Sequence, residues 1–462
     1  MKKCFSILIL IILFSGCTPT KYIKPPELDQ LLDSTSIEDH FIFINSDGLL
    51  IDPKTDDPHV DSKSYIDKIL KKFDKIKKEY PSLKLTIFVH GGLNKLSTSF
   101  ERANNTYKHM LAQEPGKKQY PIFISWRSWI DSNYFDHLVF LRKGEKMNFL
   151  GPGLITFPFI LLEDFTRSFS RLPAAIFNMF ISQNLLYMYL FDTTEESAAS
   201  INLKRMKEEG QFLIHGKDSR YELSTSEFLT LINPVKIALA PLADGLGKGS
   251  WNSMLRRTDL ILRSHDAFMG KNNSKTAVSY FFSEWEKEKK YKDVEITLIG
   301  HSMGTIVVNN ILNKFSTLNY KNVVYMGAAS KTKDIGDYIV PWLERNRDNN
   351  VAFYNLTLSP YADICEKKYL GSIPRGSLLV WIDTFLADVN SFQDRTAGFW
   401  FNIVRSADVI FPSDNDIRSK VHLTKFCIKD TCPQNHGDFD DYNFWDESFW
   451  KADIKNIYKI TK

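Results

Sequence analysis

Apolar positions along the chain follow two alternating rhythms. Short runs rich in β-branched and aliphatic residues read as buried strands: His40 to Ile44, Leu83 to Val89, Tyr120 to Ser125, Val294 to Ile299, Asn322 to Met326, Val351 to Leu358 and Val421 to Ile428. Between them, apolar residues return at helical spacing. Ile66, Ile69, Leu70, Phe73 and Ile76 form one face of the Lys-rich stretch from Lys63 to Lys78, which Pro81 stops. Further helices are expected from about Ser99 to Gln113, over residues 276–290, from Thr305 to Phe315 and around Tyr338 to Leu343. Strands alternating with helices predict an α/β fold with a mainly parallel central sheet flanked by helices.

The rhythm breaks between Trp126 and Lys275. Residues 149–162 are apolar but interrupted by Gly151, Pro152, Gly153 and Pro158. Pro173 to Phe191 is uncharged and long enough to consider as a membrane span. Pro173, Asn178, Gln183 and Asn184 interrupt it, so a mostly helical cap or lid inserted in the core is the expected reading. Its apolar surface would cover a hydrophobic pocket or touch a bilayer. A helix from Ser250 to Phe268 is expected to lead back into the core. The chain then divides into 1–16, a targeting segment; 17–38, a tether; 39–130, the first part of the core; 131–274, the cap insertion; and 275–462, the rest of the core.

Chemistry enters where the strand from Val294 meets its helix. Gly300-His301-Ser302-Met303-Gly304 places a serine on a sharp strand-to-helix turn, where bulky neighbours would clash. The helix N-terminus behind it favours developing negative charge. His90-Gly91-Gly92-Leu93 follows an earlier strand, and its glycines let the backbone approach a substrate closely. The N–H groups of Gly92 or Leu93, and of Met303, are the expected oxyanion donors. His90 itself reads as a packing residue. A serine hydroxyl needs a base within hydrogen-bond reach, and histidine titrates near neutrality. Among ten histidines, His436 alone follows the last strand in a Gly-containing loop. The acid is open among Asp363, just past the Val351 strand, Asp383, if Leu378 to Trp381 is another strand, and Asp334. Asp363 is preferred: the order Ser302, Asp363, His436 matches a Ser…acid…His arrangement, and each of the three is expected at the carboxyl end of a strand.

With these residues in this order, the chain resembles the α/β-hydrolase superfamily in its lipase- and esterase-like branches, over about residues 40–125 and 275–445. The resemblance implies a nucleophilic Ser302, His436 as general base and then acid, Asp363 orienting that histidine, and an oxyanion hole at Gly92, Leu93 and Met303. It implies a serine hydrolase of carboxylic esters, plausibly lipids, with no cofactor and no metal. A peptidase or thioesterase would use the same triad. A non-catalytic envelope lipoprotein using the fold as a binding module is the rival of another class.

Lys2 and Lys3, the apolar run Phe5 to Phe14, and Phe14-Ser15-Gly16-Cys17 resemble a bacterial lipoprotein signal peptide with its lipobox. That implies cleavage before Cys17, lipid on its thiol, and a place in the cell envelope, at the outer membrane if the cell is Gram-negative. Phe14 stands where leucine is usual. Of the remaining cysteines, Cys427 and Cys432 bracket a short loop, while Cys365–Cys432 pairing also stays open. A net charge of +4 with 25% charged residues is ordinary. No long basic stripe interleaved with aromatics points to nucleic acid. The oligomeric state is not readable.

Overall fold

The computed structural model describes residues 37–51, 61–92, 96–111, 119–142, 145–146, 150–192, 206, 212–216, 234–262, 276–366, 376–429 and 431–460. The expected leader and most of the expected tether, with Cys17, lie outside them, as do Leu93 and residues 263–268 of the helix expected to reach Phe268.

The centre is an eight-stranded, all-parallel sheet. In chain order the strands are β1 (Phe41–Ile44), β2 (Lys84–Val89), β3 (Gln119–Trp126), the short β4 (Leu141–Arg142) and β5 (Glu145–Lys146), β6 (Leu213–His215), β7 (Ile296–His301), β8 (Tyr320–Met326), β9 (Ala352–Thr357) and β10 (Val421–Lys425). Strands β4 and β5 form a separate antiparallel hairpin. The sheet runs β1-β3-β2-β7-β8-β9-β10-β6. Both of its faces are covered, which is why its strands read as nearly continuous apolar runs. Within β1 the pleat sends Ile42 and Ile44 to one core and Phe41 and Phe43 to the other.

Helices α1 (Ser62–Glu79) and α6 (Ala277–Lys287) cover the first face and pack against each other. Asp61 caps α1 by accepting from the N–H of Lys63 at 3.1 Å, and the face predicted from spacing is the buried one, through Ile66, Ile69, Leu70 and Phe73. Helix α2 (Leu96–Leu111) and the C-terminal segment cover the other face, where Phe100 packs with Phe41 and Phe43. Helix α7 (Gly304–Lys314) follows β7 and packs back against it.

The insertion differs from expectation in two ways. Residues 150–192 form one helix, α4 (Leu150–Asp192), running through Pro158 and Pro173. An interior proline removes one ladder hydrogen bond and crowds the carbonyl four residues back, a local cost that tertiary packing can offset. The insertion is also not only a cap: β6, from within it, pairs in parallel with β10 and forms one edge of the central sheet. The rest is helical, with α3 (Ile130–Phe135), a π turn at Asp136–Phe140, α4 and α5 (Pro234–Leu260) packed together. Helix α3 begins four residues beyond β3, so this cap rises from the carboxyl edge of the sheet. Both α4 and α5 rest on a π turn at Ile382–Leu386. No helix among the described residues is long and apolar enough to cross a membrane. Leu378–Trp381, offered above as a strand, is a helical turn capped by Ser377. Helices α8 (Val340–Arg345) and α9 (Pro360–Cys365) precede it in the chain, and α10 (Trp400–Ile410) follows it.

Candidate active site

Strands β2 and β7 are direct neighbours, with Val89 opposite Gly300, so the loops at their carboxyl ends meet. This is the sheet edge where parallel α/β folds place ligands. Ser302 sits one residue past β7 with φ +52°, in the left-handed region that a non-glycine residue rarely adopts. Its backbone is held from several sides. The Ser302 N–H donates to the Met326 carbonyl at 2.9 Å, and its carbonyl accepts from the N–H of Thr305 and of Ala329, each at 3.1 Å. The Thr305 hydroxyl donates to the same carbonyl at 2.6 Å. The flanking glycines answer to close approach: a Cβ on Gly304 would stand 2.2 Å from the Val89 carbonyl oxygen, and one on Gly91 would stand 2.7 Å from Ser302 Cβ.

The His90 loop is fixed by its own ring. Trp126 N–H donates to His90 Nε2 at 2.9 Å, which leaves the proton on Nδ1, facing the Gly91 carbonyl at 2.5 Å. Burial lowers His90 to about 4, so it stays neutral. His90 thus braces the loop, in the packing role expected for it. Gly92 lies against the side chain of Met303: a Cβ there would stand 2.7 Å from its Sδ. Among the described residues, the N–H groups of Gly92 and Met303 donate to no backbone carbonyl. The third expected donor, Leu93, lies outside the described residues.

Ser302 and His436, 134 residues apart, meet with Oγ and Nε2 at 2.8 Å. His436 opens a short 3-10 turn, His436–Asp441, whose start is capped by Asp438: its carboxylate accepts from the N–H and the side-chain amide of Asn435 at 2.9 and 2.7 Å. Arg102 on α2 holds Asp440 of the same turn with two contacts at 3.0 and 2.9 Å. Two groups the sequence reading missed act on His436. The carboxylate of Glu366 accepts the backbone N–H of His436 at 3.0 Å, and His301 Nε2–H donates to the His436 carbonyl at 2.8 Å. His301 stood in plain view inside the serine pentapeptide; Glu366 carries no local signal. Burial, with the nearby His301, holds His436 well below the usual imidazole range, so its resting form is the neutral base.

The three candidate acids are placed differently. Asp334 accepts from the Lys331 N–H at 2.8 Å and caps its own helical turn. Asp383 lies in the π turn at Ile382–Leu386, not after a strand, and is taken up by the Thr396 N–H at 2.8 Å and the Asn402 amide at 2.7 Å. Both therefore do structural work. Asp363, on α9 past β9, is fully buried, with the Ser377 side chain as the hydrogen-bonding group beside its carboxyl. His436 Nδ1 has no hydrogen-bond partner, so it and Asp363 are not bonded to each other. Burial pushes Asp363 well above the usual carboxylate range, and the neighbouring Glu366 and Asp383 charges add to this.

Cys427 and Cys432 are joined by a disulfide in the loop ahead of His436, which rules out the Cys365–Cys432 pairing. Among the described residues, no three His, Cys, Asp or Glu side chains are grouped to hold a metal ion. Compared with known proteins, the chain matches no family model, no curated protein and no solved structure.

Proposed function

We propose that this chain is a lipid-anchored serine hydrolase of the α/β-hydrolase type, acting on carboxylic esters. The observation that carries the reading is the pairing of Ser302, held at positive φ, with His436 Nε2 at 2.8 Å. A strained serine is retained only where surrounding structure enforces it, and strain of that kind gathers at functional sites. A neutral buried histidine at hydrogen-bond distance is the base such a hydroxyl needs.

In this reading Ser302 Oγ attacks the ester carbonyl while His436 Nε2 takes its proton. The N–H groups of Met303 and Gly92 receive the oxyanion. The tetrahedral intermediate expels the alcohol, which takes the proton from His436. Water, deprotonated by His436, then attacks the acyl-enzyme, and collapse returns the proton to Ser302. Asp363 is the partner proposed for the imidazolium. The two are not bonded at rest, and in this reading Asp363 ionises to accept from the Nδ1–H of the imidazolium. Ester lipids are the substrate class favoured by the anchor at Cys17.

Labelling with a fluorophosphonate tests the reading. Wild type is labelled covalently and Ser302→Ala is not. Equal labelling of both, or of neither, sinks the proposal. p-Nitrophenyl esters of rising chain length then test the lipid preference, and activity confined to short chains counts against it.

A further inference from the structure

Helix α4 is amphipathic the wrong way round for a protein in water. Counting 100° per residue, Leu154, Ile155, Phe159, Leu162 and Phe169 fall within an arc of about 140°. They are 56, 73, 69, 64 and 63% exposed. Two polar residues on the opposite side of the same turns point inward, while Glu163, Thr166 and Ser170 are exposed. Asp164 and Ser168 are each 1% exposed, and Asp164 receives the Tyr134 hydroxyl at 3.3 Å and pairs with His137 Nε2 at 3.0 Å and with Arg167. Arg171 reaches Asp388 at 3.1 Å and Asp244 at 3.8 Å. Close packing fixes this orientation: a Cβ on Gly153 would stand 2.0 Å from the Val139 carbonyl, and one on Gly245 of α5 would stand 2.1 Å from Ser168 Oγ. The helix cannot roll its apolar face inward without burying it against these ion pairs.

We infer that the outer face of α4 lies in the surface of a lipid bilayer, parallel to its plane. The apolar band from Leu154 to Phe169 runs about 22 Å along a convex helix, which suits a flat fluid medium. The same helix continues through residues 172–191 without a charged side chain. The occupant is set by the other end of the chain. Residues 18–36 would hold the body within about 60 Å of a lipidated Cys17, so a bilayer is always within reach. Because the cap rises from the carboxyl edge of the sheet, docking holds the Ser302 edge toward the membrane. The inference rests on the lipid-anchor part of the proposed function and not on the ester chemistry.

The test replaces Phe159, Leu162 and Phe169 one at a time by photoreactive p-benzoylphenylalanine in the full-length chain. Val409, an isolated exposed residue on α10, is the control position. The protein is reconstituted with vesicles of phosphatidylethanolamine and phosphatidylglycerol, irradiated and analysed by mass spectrometry. Phospholipid adducts several-fold above the Val409 background are expected at all three sites. Cross-links to a second copy, cross-links to residues 193–233 of the same chain, or no adduct above background each overturn the inference. Circular dichroism confirms that each variant is folded. Ser302→Ala should give the same adducts, which separates this result from the hydrolase reading. The mass of the Cys17 peptide reports the anchor independently.

Discussion

Glu366 holds His436 by the backbone rather than the ring: its carboxylate accepts the His436 N–H at 3.0 Å, across 70 residues of sequence. The base of the proposed reaction is therefore positioned through its main chain, with its imidazole edge toward Ser302.

Glu366→Gln keeps an oxygen acceptor and should leave kcat within about threefold, whereas Glu366→Ala should lower kcat by roughly tenfold or more with little change in KM. A purely structural role would lower stability in both variants and leave kcat of the folded fraction unchanged. Steady-state kinetics beside thermal melts decide between them.

Asp363→Asn should separate activity from stability. Removing the partner proposed for the imidazolium should reduce kcat by about a thousandfold or more. Asparagine keeps a side-chain oxygen beside Ser377 and removes a carboxyl that burial disfavours in its charged form, so melting should be unchanged or slightly raised. Full activity in Asp363→Asn would remove Asp363 from the mechanism.

The backbone at Ser302 gives a second dissociation of the two. Ser302→Gly should be more stable than Ser302→Ala by about 1 kcal/mol, because glycine adopts φ +52° without the penalty a Cβ brings. Both should be inactive. Equal denaturant midpoints would mean that the turn stores no strain.

Acid should destabilise the fold from about pH 6.5 downward. His40, His90 and His215 are lowered to about 4 and His422 to about 3, each chiefly by burial. Their folded values lie below the unfolded one, so stability is full above pH 6.5 and is lost as the unfolded chain takes up protons below it. For the fully buried His90 the loss is on the order of 3 kcal/mol by pH 4. The same sign applies to His436, so the acid limb of kcat/KM should fall below the usual imidazole range. A limb at or above pH 6.5 would contradict the buried, neutral base. Melting temperature and kcat/KM measured from pH 8 to 4.5 test both statements.

The parallel sheet was legible because strands buried on both faces leave unbroken apolar runs, and the Ser302 turn because its requirements are local. What misled or stayed hidden was non-local. Leu378 to Trp381 is four apolar residues with no periodicity, which a strand and a buried helical turn share equally. Pro158 and Pro173 suggested breaks that packing overrides. Strand β6 is three residues long, and its identity lies in its partner β10. Glu366 is defined by one main-chain contact from a distant loop, and no pattern around it announces that.

The edge strand β6 also sets an order of events. Its His215 meets His422 on β10 at 2.8 Å, across 207 residues. A chain emerging from its amino end therefore carries residues 213–215 unpaired until β10 follows, and the loop bearing His436 comes later still. Closing the sheet and assembling the base are thus both late steps, reached after nearly the whole chain is available. A chain cut short before residue 421 would lack His436 and also expose a sheet edge along β9, the state most prone to pairing with another copy.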